Sequence, residues 1–126
     1  MFNKEELILL PNKETQIKAL LWGDAYDLAC NTLEVSTMKN SRYSDVFTVS
    51  TVEVVEYVLK HGIPENEMAR REQYVEGFHF LKENGKWKTF FYERGITSYE
   101  KNFEDDTEAK KYIALTLIQL AGTGLY

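Results

Sequence analysis

The sequence predicts an α+β domain: an antiparallel sheet of three or more strands packed by two to three helices, one of them C-terminal. Two local signals carry that prediction. Asn84-Gly85 stands between two aromatic-rich runs, Phe78–Leu81 and Trp87–Tyr92. Both central residues of a type I′ hairpin turn need positive φ, and Asn and Gly tolerate that best. The second signal is a pair of helix starts. Ser50 and Glu53 are spaced as a capping box, and Asp105 with Glu108 repeats the spacing ahead of a second apolar-periodic run.

Taken in chain order, Glu5–Leu10 fits either a short strand or a first helical turn, and Pro11 stops it in both cases. Lys13–Leu33 predicts helix, because Ile17, Leu20, Leu21, Ala25, Leu28 and Ala29 keep near-helical spacing. Gly23 opposes an unbroken helix, since an interior Gly costs about 1 kcal/mol relative to Ala. A break at Trp22-Gly23 with a strand after Asp27 is the alternative. Ser36–Ser44 is polar and reads as a loop, and Asp45–Ser50 offers a short strand through Val46, Phe47 and Val49.

The helix capped by Ser50 has an expected buried stripe of Val52, Val55, Val58 and Leu59, with Tyr57 alongside. His61-Gly62-Ile63-Pro64 ends it with a potential cation, then Gly, then Pro. Glu65–Glu72 is a charged connector or a short helical turn. A two-residue Asn84-Gly85 loop sets Glu83 against Lys86, Lys82 against Trp87, Phe80 against Thr89 and Phe78 against Phe91. Phe78, Phe80, Trp87 and Phe91 then share one face, with His79, Leu81, Phe90 and Tyr92 on the other. After Glu93-Arg94-Gly95, Ile96–Phe103 reads as a third strand. The C-terminal helix presents Ala109, Tyr112, Ile113, Thr116, Leu117 and Leu120 on one face, and Gly122 ends it.

At 126 residues, the chain is expected to form a single domain over residues 1–126, long enough to bury a core without disulfides or metals. Its one cysteine, Cys30, has no internal partner, which favours a reducing compartment. No apolar run approaches a membrane span or a signal peptide, so a cytoplasmic protein without membrane association is expected. The formal charge of −5 disfavours nucleic acid as a direct partner. It suits a basic protein partner, and it equally suits a small protein that simply stays soluble.

No residues assemble into catalytic chemistry, and neither an enzyme nor a cofactor is called for. His61 and His79 lack further ligands at zinc spacing. Cys30 sits in an Ala-Cys-Asn stretch that reads as inert packing. The acids Glu104-Asp105-Asp106 are accounted for by the helix they precede. Trp87–Tyr92 resembles a base-stacking platform only in composition, since core packing is the commoner use of such a block.

Phe78–Phe80, Gly85-Lys86-Trp87, Phe90–Gly95 and the acidic helix opening Glu104–Tyr112 together follow a strand, turn and helix pattern. Over about residues 74–121 that pattern resembles the small immunity proteins of bacterial polymorphic toxin and contact-dependent growth inhibition systems. The resemblance implies a short, acidic, cytosolic α+β protein, encoded beside a toxin, that binds and blocks it. Many such toxins are nucleases with positive clefts. The expected contact residues are the acids Asp45, Glu65, Glu67, Glu72 and Glu76, with Tyr43 and Tyr74 as aromatic anchors. Two other readings compete. One is a small-ligand or scaffold domain with a cup lined by Trp22, Tyr57 and Trp87. The other is an enzyme built from His79, Glu93 and Arg94, which the hairpin register disfavours by placing His79 opposite to Glu93. Oligomeric state is left open by the sequence.

Overall fold

The computed structural model describes residues 9–63 and 76–125. Among them are four α-helices, α1 (Lys13–Trp22), α2 (Ala25–Leu33), α3 (Thr51–His61) and α4 (Asp106–Ala121), with a 3-10 turn at Tyr43–Asp45. Strands β1 (Gly77–Glu83), β2 (Lys86–Glu93) and β3 (Ile96–Phe103) form one antiparallel sheet in the order β1-β2-β3. The fold class is α+β, with the C-terminal helix in place. By their contacts the described residues divide into two compact units, 9–57 with 114–125 and 58–63 with 76–113.

In the first unit, the sequence between Lys13 and Leu33 breaks where the interior glycine stands. Asn12 caps α1, its side chain accepting from the Thr15 N–H at 2.8 Å. Gly23 ends the helix at φ +79°, and its N–H bonds back to the Ala19 carbonyl. The segment after Asp27 is helix α2, not the strand considered above. Ile17, Leu20, Leu21, Ala25 and Ala29 are buried, as their spacing requires, and so is Cys30.

The short strand expected through Val46, Phe47 and Val49 does not form. These three side chains are buried in irregular backbone, and a buried side-chain amide does what a neighbouring strand would do. The Oε1 atom of Gln16 accepts the backbone N–H of Thr48 at 2.7 Å and that of Val49 at 3.2 Å. Its Nε2 donates to the Pro11 carbonyl at 2.8 Å. Gln16 is buried, and its bond with Val49 is made away from water while those with Thr48 and Pro11 are partly buried.

Helix α3 opens on the expected capping box: the Glu53 N–H donates to Ser50 Oγ, and the Ser50 N–H donates to Glu53 Oε1, both at 3.1 Å. Its buried stripe is shifted from the expected one. Val54 and Val58 are fully buried, whereas Val52 is 63% exposed and Leu59 lies at the surface. Four valines within one short helix offer more than one apolar stripe at helical spacing, and periodicity alone does not choose between them. Gly62 closes the helix in the left-handed region, bonding to the Val58 carbonyl.

In the second unit, the hairpin has the register the turn dictates, from Glu83 against Lys86 to Gly77 against Tyr92. Asn84 and Gly85 both take positive φ, and Arg94-Gly95 repeats that geometry between β2 and β3. Phe78 packs on Phe80 and Phe91, and Phe80 on Trp87. On the other face Leu81, Phe90 and Tyr92 cluster, and His79 stacks on Phe90. Pairing of β2 with β3 shifts at Tyr99-Glu100, two residues facing Phe90 alone, and Tyr99 takes φ +52° there.

Helix α4 starts at Asp105, whose carboxylate accepts the Glu108 N–H at 3.1 Å. Tyr112 meets Phe78 and Phe103 edge-on and tilted, fixing the first half of the helix on the sheet. Ala109, Ile113 and Thr116 are buried as expected. The expected stripe is corrected at its end: Leu120 is exposed, while Ala114 and Ile118, off that stripe, are buried. The helix is therefore covered around more of its circumference than a single amphipathic face.

Candidate functional site

The sequence-chosen contact residues distribute unevenly. Glu65, Glu67, Glu72 and Tyr74 lie outside the described residues. Tyr43 is half-buried in the 3-10 turn, its ring tilted on Phe47 at 6.3 Å between centroids. Asp45 is exposed and faces the Arg42 guanidinium at 3.6 Å. Glu76, in the other unit, is exposed at the foot of β1, and its carboxylate accepts the Arg94 N–H at 3.1 Å. That bond braces the β2–β3 turn and gives Glu76 a structural task.

The residues of the competing readings are placed differently from what those readings need. Trp87 is buried, and its indole N–H donates to Asp106 at 2.8 Å, so it serves packing and a helix start. His79 is buried and stacked on Phe90, on the sheet face opposite to Glu93. Among the described residues no group of three or more His, Cys, Asp or Glu is arranged to hold a metal ion, and no helix is long and apolar enough to cross a membrane.

Asp106 is the most strongly perturbed carboxyl group. Lys110 Nζ lies 2.7 Å from one of its oxygens, and Lys82 Nζ lies 3.2 Å from the other. The Lys110 bond first, then the Trp87 indole, hold its pKa well below the usual carboxylate range, outweighing partial desolvation. Glu53 is shifted the same way, chiefly by Lys13, which approaches to 2.7 Å. Both carboxylates are consumed by the fold.

The surface that remains chemically unspent lies at the α1–α2 corner. The helix break leaves Trp22 and Tyr26 each about half exposed, at 46% and 47%. Between the two helices runs an open groove of about 350 Å³, lined by Thr15, Lys18, Ala19, Asp24, Asp27, Leu28 and Asn31. Asp24 occupies the N-cap position of α2 but makes no side-chain capping bond. Lys18 is neutralised by Glu14 at 3.2 Å. Asp24, Asp27 and Glu34 form no ion pair with another described residue.

Tyr26 is held in place. A hydrogen bond with the Cys30 side chain, and then desolvation, raise its hydroxyl above the ordinary phenol value, while a backbone hydrogen bond at Met38 acts in the opposite sense. Tyr43 is close enough to add to that rise, which connects one sequence-chosen anchor to the corner. Asp24, Tyr26 and Asp27 escaped the sequence reading, which placed Trp22 only in a ligand cup with Tyr57 and Trp87. The available signal was the Gly23-Asp24 pair between two large aromatics, which marks a helix break with its flanks turned outward.

Compared with protein-family models, with curated proteins and with solved structures, the chain matches none.

Proposed function

We propose that this chain is an immunity protein, binding a cognate bacterial toxin domain and neutralising it by covering its active site. It acts stoichiometrically and without a cofactor, inside the cell that makes it. The observation that carries this reading is that Asp24, Asp27 and Glu34, without an ion pair among the described residues, lie in the same unit as the half-exposed Trp22 and Tyr26. Large aromatics with uncompensated charge are what protein interfaces use as anchors and for steering. The charge of −5 points to a basic partner, and a nuclease, with its positive cleft, is the toxin class that fits. Opposite charges raise association above the neutral range of roughly 10⁵–10⁶ M⁻¹s⁻¹.

The test is co-expression. The C-terminal region of the protein encoded by the adjoining gene is expressed with and without this chain, and surviving cells are counted. Toxicity relieved only by co-expression, with a stable complex on gel filtration, is the expected result. Toxicity that this chain leaves unrelieved, or no toxicity at all, removes the reading.

A further inference from the structure

We infer that the groove between α1 and α2 is the surface that meets the partner, and that it receives an arginine or lysine side chain presented by that protein. The inference rests on the functional reading above and assigns it a place. Ala19 and Leu28 give the groove an apolar floor, which suits the methylene stem of a long basic side chain. Asp24 and Asp27 also line the groove, and among the described residues neither forms an ion pair. The cation that does line the groove, Lys18, is already compensated by Glu14. Acids are common at helix starts because the macrodipole favours them. Asp24, however, donates nothing to the helix as a cap, so its carboxylate is left for a ligand outside the chain.

The flanks argue for the same occupant. On the same face of α1 as Thr15, Lys18 and Ala19, Trp22 stands half exposed, and an aromatic face attracts a guanidinium or ammonium group. A polyanion is repelled by the same carboxylates. A bare metal ion finds too few ligands, since no group of three or more acids, histidines or cysteines gathers among the described residues. A basic side chain on a protein uses the floor and the carboxylates together.

The experiment measures the affinity of the purified full chain for the C-terminal domain of the protein encoded by the adjoining gene, by calorimetric titration. The double charge reversal Asp24→Lys with Asp27→Lys is compared with Glu83→Lys with Glu104→Lys, which makes the same change in net charge on the other unit. Thermal melts establish that each variant is folded. The groove pair is expected to weaken binding at least 100-fold and Trp22→Ala at least tenfold, with the control pair within about fivefold of the native chain. Should Asp24→Lys alone prevent folding, Asp27→Lys with Trp22→Ala replaces the pair, with the same 100-fold loss expected. Binding by the native chain that survives the groove reversals within threefold overturns the assignment of the surface and leaves the functional reading standing. Failure of the native chain to bind overturns both.

Discussion

The indole N–H of Trp87 donates to the Asp106 carboxylate at 2.8 Å, tying the middle strand of the sheet to the first turn of α4. Lys82 closes the arrangement from above, its ammonium 5.2 Å from the Trp87 ring centroid and 3.2 Å from Asp106. Strand, helix start and two lysines thus share one carboxylate. Because Asp106 titrates below an ordinary carboxyl group, the folded state favours its charged form. Its contribution is complete above the unfolded pKa, about 4, and is lost as pH falls toward the folded value. Asp106→Asn is expected to lower stability at pH 7 by roughly 1 kcal/mol, the half-exposed side chain reducing the value of its ion pairs. Urea midpoints at pH 7 and pH 2.5 check this, and the gap between native and variant chains should narrow by more than half at the lower pH.

Gln16 holds the loop from Val46 to Val49, and its loss has a different signature. Gln16→Leu keeps the volume but strands the buried N–H of Val49 and removes the acceptor of the partly buried N–H of Thr48. The expected cost is about 2–4 kcal/mol, read as a drop in the urea midpoint with an unchanged slope. A loss under about 0.5 kcal/mol would mean that the burial of Val46, Phe47 and Val49 positions the loop without the amide.

Ser50 is the simplest of the three tests. Ser50→Ala removes the acceptor for the Glu53 N–H and is expected to cost about 1 kcal/mol, whereas Ser50→Asp, which keeps an acceptor at the N-cap, stays within about 0.5 kcal/mol of the native chain. Amide exchange at Glu53 and Val54 is the direct readout, because fraying of the first turn exposes those two N–H groups before the rest of α3.

What could be read from the sequence was what local chemistry decides. Asn84-Gly85 has few alternatives to a type I′ turn, and once the turn is fixed the pleat assigns every facing pair from Glu83 outward. The Ser50 and Asp105 caps are equally local. The failures are residues whose role depends on distant partners. Val46, Phe47 and Val49 read as a strand, yet the N–H groups of Val46 and Phe47 turn back to the Tyr43 carbonyl and those of Thr48 and Val49 are taken by a glutamine from α1, which nothing near Thr48 in sequence announces. Val52 and Val54 are both plausible core residues until packing chooses Val54. The candidate site was hidden for a related reason. Periodicity separates Leu21, on the buried stripe, from Trp22, but it does not show that the chain breaks at Gly23 and brings the acids Asp24 and Asp27 to a groove between α1 and α2.

The irregularity at Tyr99-Glu100 also bears on how this protein behaves at high concentration. Strand β3 is the outer strand of the sheet on its side, and such a border is where stray extended chains attach and fibrils begin. The extra residue opposite Phe90 divides β3 into two short straight lengths, Ile96–Ser98 and Lys101–Phe103, with a change of twist between them. An incoming strand finds no continuous template to copy and can zip along only one length before the ladder loses step. The same kink that disturbs the native pairing thereby makes the β3 border a poor template for a neighbouring molecule.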